Sequence, residues 1–328
     1  MPTTTTSNHT RLIVNLVVVY LIWGSTYLAI RFAIDSIPPL LMAGVRFLVA
    51  GALLYGWVRL RGASRPTWSH WRSAIIIGGL LLVLGNGGVV VAEQTIPSGL
   101  AALLVSLVPL WIALLDWLRP GGRRPNLAVA FGLVLGFVGV ALLVGPRAFG
   151  GGSAVGVVIV LVASFCWAAG SLYSRGARMP SSPLMGNAIE MLAGGILLVV
   201  VALVTGEAGK LHLSAITLRS ALALAYLIIF GSLIAFTAYI WLLRNAPITR
   251  VSTYAYVNPV VAVFLGLIFA GEHLTTLTLV AAAVILAAVV VITTFRNVPS
   301  QVSLAAPAAP AASTNAPSDP ELAAHAQR

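Results

Sequence analysis

Arg46 and Glu190 stand inside long apolar runs, Met42-Ala43-Gly44-Val45 preceding the arginine and Gly186-Asn187-Ala188-Ile189 preceding the glutamate. A charge at the centre of a bilayer costs at least ~2.5–3.5 kcal/mol, so each needs a partner or a task. Each lies about seven residues into its run, roughly 10 Å from its own face at ~1.5 Å per residue. In a hydrocarbon core ~30 Å thick their depths differ by roughly 10 Å, which makes a direct pair depend on tilt or on a long arginine reach. Depth matches Arg31 or Arg46 better with Glu93, and Arg175 with Glu190. Two readings stand side by side. In one, these are structural ion pairs that fix helix register. In the other, Glu190 carries proton or cation coupling or touches a substrate, with Arg46 in the same site.

Further polar and aromatic groups occupy similar runs. Asn187 is three residues before Glu190 and shares its helix face. Asn86 sits in Gly85-Asn86-Gly87-Gly88, where small residues admit close helix approach, and Asn258 precedes Pro259, which frees a carbonyl in mid-helix. Each serves either an interhelical hydrogen bond or a polar cavity. Trp23 and Trp167 lie too deep for an interfacial belt, unlike Trp68 and Trp71; packing and an aromatic wall or gate are both open to them, and to Tyr254 and Tyr256. Gly132, Gly136 and Gly139, like Ala283 and Ala287, form small-residue faces for helix packing. The five histidines, His9, His70, His212, His273 and His325, read as loop or tail residues without metal-ligand spacing. No catalytic constellation or nucleotide loop is found, so neither an enzyme nor an ATP-driven pump is expected, and no cofactor or metal.

The elements that must position these residues are set by composition. Of 328 residues, 59% are hydrophobic and 8% charged, against roughly 25% charged in soluble domains. The solvent is therefore lipid. Runs long enough to span it fall near 12–34, 39–60, 73–92, 98–118, 126–144, 153–173, 183–205, 218–242, 248–270 and 275–294. The first is too long for a signal-peptide core and reads as a span. With the N-terminus inside, fourteen arginines fall on the cytoplasmic side, while Arg147, Lys210 and Arg219 fall on the other. That asymmetry puts both termini in the cytoplasm. The net charge of +11 then belongs beside an anionic leaflet, with no nucleic acid implied. Cys166 is the single cysteine and lies in an apolar run, so no intrachain disulfide is possible. The segment after Phe295, rich in Ala, Pro and Ser, reads as a disordered cytoplasmic tail.

The chain also repeats itself. A shift of 144 superposes Trp23 on Trp167, Arg31 on Arg175, Pro39 on Pro183, Arg46 on Glu190 and Gly51 on Gly195, and a shift of 150 superposes Pro97 on Pro247 and Pro109 on Pro259. Each half holds five spans, and an odd number inverts the second copy relative to the first. Such repeats supply the two equivalent packings of secondary transporters. The expected fold is all-α and integral to the membrane: ten transmembrane helices as two inverted five-helix repeats.

In its stretches LIWGSTYLAIRFAIDSIPPLLMAGVRFLVAG (21–51), LGNGGVVVAEQTIPSGLAALLVSLVPLW (84–111), GNAIEMLAGG (186–195) and STYAYVNPVVAVFLG (252–266) the chain resembles the EamA family of the drug/metabolite transporter superfamily. The resemblance covers roughly residues 12–294. It implies repeats over 12–144 and 153–294 joined by a linker at 145–152, between a cytoplasmic N-terminus (1–11) and the tail (295–328). It further implies a secondary carrier, an exporter, of small organic metabolites, amino-acid-like compounds or drugs in a bacterial inner membrane, as monomer or homodimer, with proton or cation coupling open. The family pattern often ends its fourth helix in an acidic Gly-Glu turn; here that place reads Asp116-Trp117-Leu118-Arg119, whereas the second half keeps Gly271-Glu272, and no role is transferred to Glu272. The competing class is a membrane-embedded enzyme or lipid-headgroup-handling protein, which would need a polar nucleophile or acid/base cluster at one interface.

Overall fold

The computed structural model describes residues 4–119, 124–144, 153–246, 251, 253–273 and 275–295. The expected linker at 145–152, the tail beyond Phe295 and the arginines at 123, 147, 244, 250, 296 and 328 lie outside the described residues or their described side chains. Among the described residues every regular element is helical; eight helices are long and apolar enough to cross a membrane, and two more, at Leu127–Leu142 and Tyr254–Phe269, are shorter and apolar. They are α1 (Thr4–Ala33), α2 (Pro39–Leu60), α3 (Trp68–Ala92), α4 (Ser98–Leu118), α5 (Leu127–Val144), α6 (Ala154–Ser174), α7 (Pro183–Val204), α8 (Leu218–Tyr226, continuing to Asn245), α9 (Tyr254–Phe269) and α10 (Thr276–Phe295).

Two helices begin earlier than hydropathy alone marks them. α1 starts at Thr4 rather than at residue 12, so most of the expected N-terminal segment, His9 included, is helical. α3 starts at Trp68 because Thr67 and His70 cap its first turn, the Thr67 amide donating to His70 Nδ1 at 3.2 Å. His70 is thus a capping residue and not a loop one.

The exterior is apolar where it meets lipid: Leu21, Leu53, Phe131 and Phe264 are all more than half exposed. Helices meet through glycine. On α5, a Cβ at Gly132 or Gly139 would come within 2.7 Å of Ile292 or 2.6 Å of Ile285 on α10. The facing side of α10 is Ala281, Ile285 and Ala288; Ala283 and Ala287, expected there, point outward because they fall on the opposite arc of the helix.

The repeat is visible at the crossing of α2 and α7. A Cβ on Gly51 would lie 2.9 Å from the Leu192 amide nitrogen, and one on Gly195 would lie 2.8 Å from that of Leu48. Both residues of each contact are related by the same shift of 144, so the two helices press on each other symmetrically. A second correspondence was not legible beforehand. α3 contains a π-helical stretch, Gly79–Gly87, and α8 contains another, Leu227–Ile234. π-turns displace side chains from the regular helical register and cluster at functional sites.

Helix α4 is interrupted at Ser106-Leu107, between Ser98–Val105 and Val108–Leu118. Pro109 cannot donate to the preceding turn, and Ser106 Oγ donates back to the Leu103 carbonyl at 2.6 Å. Its repeat partner, Pro259, lies inside α9 without ending it.

Candidate transport site

The π-turn of α8 gathers one group of candidates. Trp23 Nε1 on α1 donates to the Gly231 carbonyl at 3.3 Å, and Arg46 Nε on α2 donates to Ser232 Oγ at 3.0 Å. The Trp23 ring meets Phe236, Tyr239 and Tyr254 edge-on or tilted, with centroids 5.0–5.3 Å apart. A Cβ on the neighbouring Gly24 would lie 3.1 Å from the Asn258 carbonyl, so α1 crosses α9 beside Asn258. Trp23, Arg46, Tyr254 and Asn258 are therefore brought together by α1, α2, α8 and α9. Tyr256 sits apart from Trp23, packed against the cluster around Leu100, Leu103 and Leu107.

The other repeat supplies the related arrangement. Trp167 on α6 packs against the π-turn of α3, where a Cβ on Gly85 would stand 3.0 Å from the indole, next to Asn86. Each repeat thus sets the tryptophan of its first helix against the π-turn in the other repeat. Asn187 and Glu190 lie on α7 where it runs along α3, a Cβ on Gly78 being only 2.9 Å from the Glu190 carbonyl.

The expected charge pairs are corrected. Among the described residues the ion pair is Arg119–Asp116, at 2.8 Å. Arg46 is buried, with its guanidinium beside Ser232 and 4.8 Å from the Phe47 ring, and not against Glu93 or Glu190. The α2–α7 register explains this: Leu48 meets Gly195 and Gly51 meets Leu192, so Arg46 and Glu190 are separated by about seven residues, roughly 10 Å, along the crossing. Arg31 does reach Glu93, but Nη1 donates to the main-chain carbonyl at 2.7 Å. Arg175 is exposed at the end of α6 and makes no ion pair with Glu190, which sits about two turns deeper.

What these residues share is unsatisfied polarity. Arg46 Nη1, Asn86 Oδ1, Asn187 Nδ2 and Asn258 Oδ1 are buried atoms without a hydrogen-bond partner, as are both carboxylate oxygens of Glu93. A buried polar atom left unpaired costs about 1–3 kcal/mol, more when charged. An apolar recess of about 310 Å³ between α3 and α7, lined by Ile75, Gly79, Leu84 and Leu197 among others, contains none of them.

Two acidic residues to which the sequence reading gave no role act as helix caps. Glu272, in the turn after α9, accepts from the Ser98 amide and the Ser98 hydroxyl at 2.6 Å each and from the Gly99 amide at 3.1 Å. Glu207, after α7, accepts from the Leu41 amide at 3.1 Å. Both come from the second repeat and cap first-repeat helices, α4 and α2, at their positive ends. The legible signals were Gly271, which takes the left-handed φ of +63° needed for the turn, and Pro97 and Pro38, which mark the two helix starts.

Ten apolar helices in two related sets, meeting at matched π-turns and carrying unpaired polar atoms within the spans, define a multi-pass membrane transporter. The chain belongs to the EamA-like transporter family, whose model matches residues 10–145 and again 154–294. It is 43% identical over 276 residues to the uncharacterized inner membrane transporter YedA of Escherichia coli K12, covering 84% of this chain and 88% of that one. It is 27% identical to the uncharacterized transporter YvbV of Bacillus subtilis (81% and 86% covered) and 27% identical to protein PecM of Dickeya dadantii (83% and 88%). A solved crystal structure shares the fold, with a TM-score of 0.60 and 23% identity over 89% of this chain and 99% of that one.

Proposed function

We propose that the chain is a secondary carrier that moves small organic solutes (metabolites, amino-acid-like compounds or drugs) outward across a bacterial inner membrane by alternating access. The solute is held between the repeats at the level of the π-turns. Arg46 and Glu190 are its polar contacts, with Asn86, Asn187 and Asn258, and Trp23 and Trp167 are its aromatic walls. The observation that carries the reading is the set of unpaired buried atoms, Arg46 Nη1, Asn86 Oδ1, Asn187 Nδ2 and Asn258 Oδ1, divided between both repeats. A solute with hydroxyl, amino or carboxyl groups, or the water admitted with it, satisfies them and offsets their burial. Two inverted repeats then supply the exchange of inward- and outward-open packings. Arginine-rich connections on one side support cytoplasmic termini. The proton or a cation is the coupling ion of this reading.

Purified protein in liposomes, challenged with labelled amino acids, organic acids and cationic drugs under imposed pH gradients, tests it. Accumulation of one class, driven by the gradient and reduced at least tenfold in Arg46→Gln or Glu190→Gln proteins that elute and melt normally, is expected. Full transport by either well-folded variant would remove that residue from the site. Flux unchanged by any gradient would overturn the coupling.

A further inference from the structure

The far end of α3 holds a carboxyl group with nothing to bind. Glu93 is 0% exposed, and neither carboxylate oxygen has a hydrogen-bond partner. Three ionisable groups face it. Arg31 and Tyr27 come from α1, Arg31 Nη1 being 2.7 Å from the Glu93 carbonyl oxygen, and Glu272 comes from the turn between α9 and α10. α6 also packs here, through Gly156 against Thr95 and Ile96, but enters as Ala154-Val155-Gly156-Val157 and brings no ionisable side chain.

The charges in this cluster do not balance unless a proton is added. Glu272 accepts three hydrogen bonds from Ser98 and Gly99, which suits the ionised form. Arg31 offsets that one negative charge. A second carboxylate at Glu93, fully buried and without a donor, would cost several kcal/mol. One proton on Glu93 makes the cluster neutral. The cluster also joins the two repeats, since Glu93 and Ser98 belong to the first and Glu272 to the second. Separating the α9–α10 turn from α4 would remove the three hydrogen bonds and expose the end of α3 to water, where an ionised Glu93 would be stable.

We infer that Glu93 is a proton-binding site, loaded while Glu272 latches the start of α4 and emptied when that latch opens. On opening, the Glu93 carboxyl passes its proton to water; on closing, it takes one back. In the proposed orientation this is the outer end of the carrier, so each outward opening exchanges one proton with the exterior. The closed state binds more protons than the open one, so rising pH favours opening, by up to tenfold in the open-to-closed ratio per pH unit.

Spin labels at Gln94 and His273, both exposed, in a Cys166→Ala protein in liposomes report the distance across this latch without any solute. A failure here therefore leaves the carrier reading untouched. The wild-type pair should hold a short distance at pH 5 and gain a long-distance population by pH 9. Glu93→Gln, which keeps the shape of the protonated group, should stay short throughout, and Glu272→Gln should open already at pH 5. A pH-independent wild type, or the wild-type response retained in Glu93→Gln, would overturn the inference. Protein without substitutions gives a second check. Dicyclohexylcarbodiimide should modify Glu93 at low pH and progressively less as pH rises; absence of the adduct at pH 5 also overturns it.

Discussion

Gly51→Ala tests whether the two repeats meet as described, because the contact it disturbs exists only if α2 and α7 cross through equivalent glycines. The added methyl would stand 2.9 Å from the Leu192 amide nitrogen, where ordinary contact begins at 3.4 Å, and the neighbour is backbone that cannot rotate away. The helices must part by about half an ångström, which loosens packing along the whole crossing. Overpacking of this kind costs about 1–3 kcal/mol, and alanine returns about 0.5–1 kcal/mol in helix preference over glycine. A net loss of about 1–2 kcal/mol follows. Gly195→Ala, with its methyl 2.8 Å from the Leu48 amide, should match it. Once one methyl has moved the helices apart, the second finds room already made, so the double variant should fall short of the sum by about 0.5 kcal/mol or more. Gly56→Ala is the control, on the same helix with nothing within 4 Å of the added carbon, and should be neutral or slightly stabilising. Thermal denaturation in one detergent, followed by fluorescence and gel filtration, compares the four variants with the wild type. Equal stability of Gly51→Ala and Gly56→Ala would refute the crossing geometry, and strict additivity would refute the shared displacement.

Trp23→Phe removes the 3.3 Å hydrogen bond to Gly231 while keeping a ring against Phe236, Tyr239 and Tyr254; a stability loss of about 0.5–1.5 kcal/mol is expected in the same melting assay, and a larger loss, near the ~3–5 kcal/mol of Trp23→Ala, would mean that indole volume dominates. In a Cys166→Ala background, a cysteine at Lys210 should react with an impermeant maleimide on intact cells and one at Arg65 should not; the opposite pattern would invert the proposed orientation.

The fold was legible because lipid imposes a coarse rule. A run of about 20 apolar residues has few alternatives to a spanning helix, and the coincidence of Trp23, Arg31, Pro39 and Gly51 with their partners 144 residues on revealed the repeat without coordinates. Helix ends were less legible. At Thr67 and His70 a capping interaction overrides hydropathy, and α1 gains its first turns from residues that carry no apolar signal. The π-turns left a trace only in the glycines around Asn86 and at Gly231, since an inserted residue in a helix changes no composition.

The candidate site divides along a physical line. Residues conspicuous for cost, the charges and amides inside spans, were found, because an unpaired polar group in hydrocarbon is improbable without a reason. Their partners were not, because depth along the membrane normal fixes one coordinate of three. Depth offered Arg31 or Arg46 to Glu93; Arg31 reaches its main chain, whereas the rotation of α2 aims the Arg46 guanidinium at Ser232, a residue with no charge to attract notice. Glu272, given no role, and Glu207, not singled out, were passed over for the converse reason. They sit in connections, where a carboxylate is inexpensive, and what they do depends on helix starts more than 160 residues away in the chain. The second repeat sends both acidic caps, onto α2 and α4 at one end of the bundle. Inverted repeats make the two open states geometrically equivalent, and differences in sequence between the copies make them energetically unequal. Glu272 ties the second repeat to the start of α4 at the end where Glu93 is buried, and a contact of this kind is where such an energetic difference would arise.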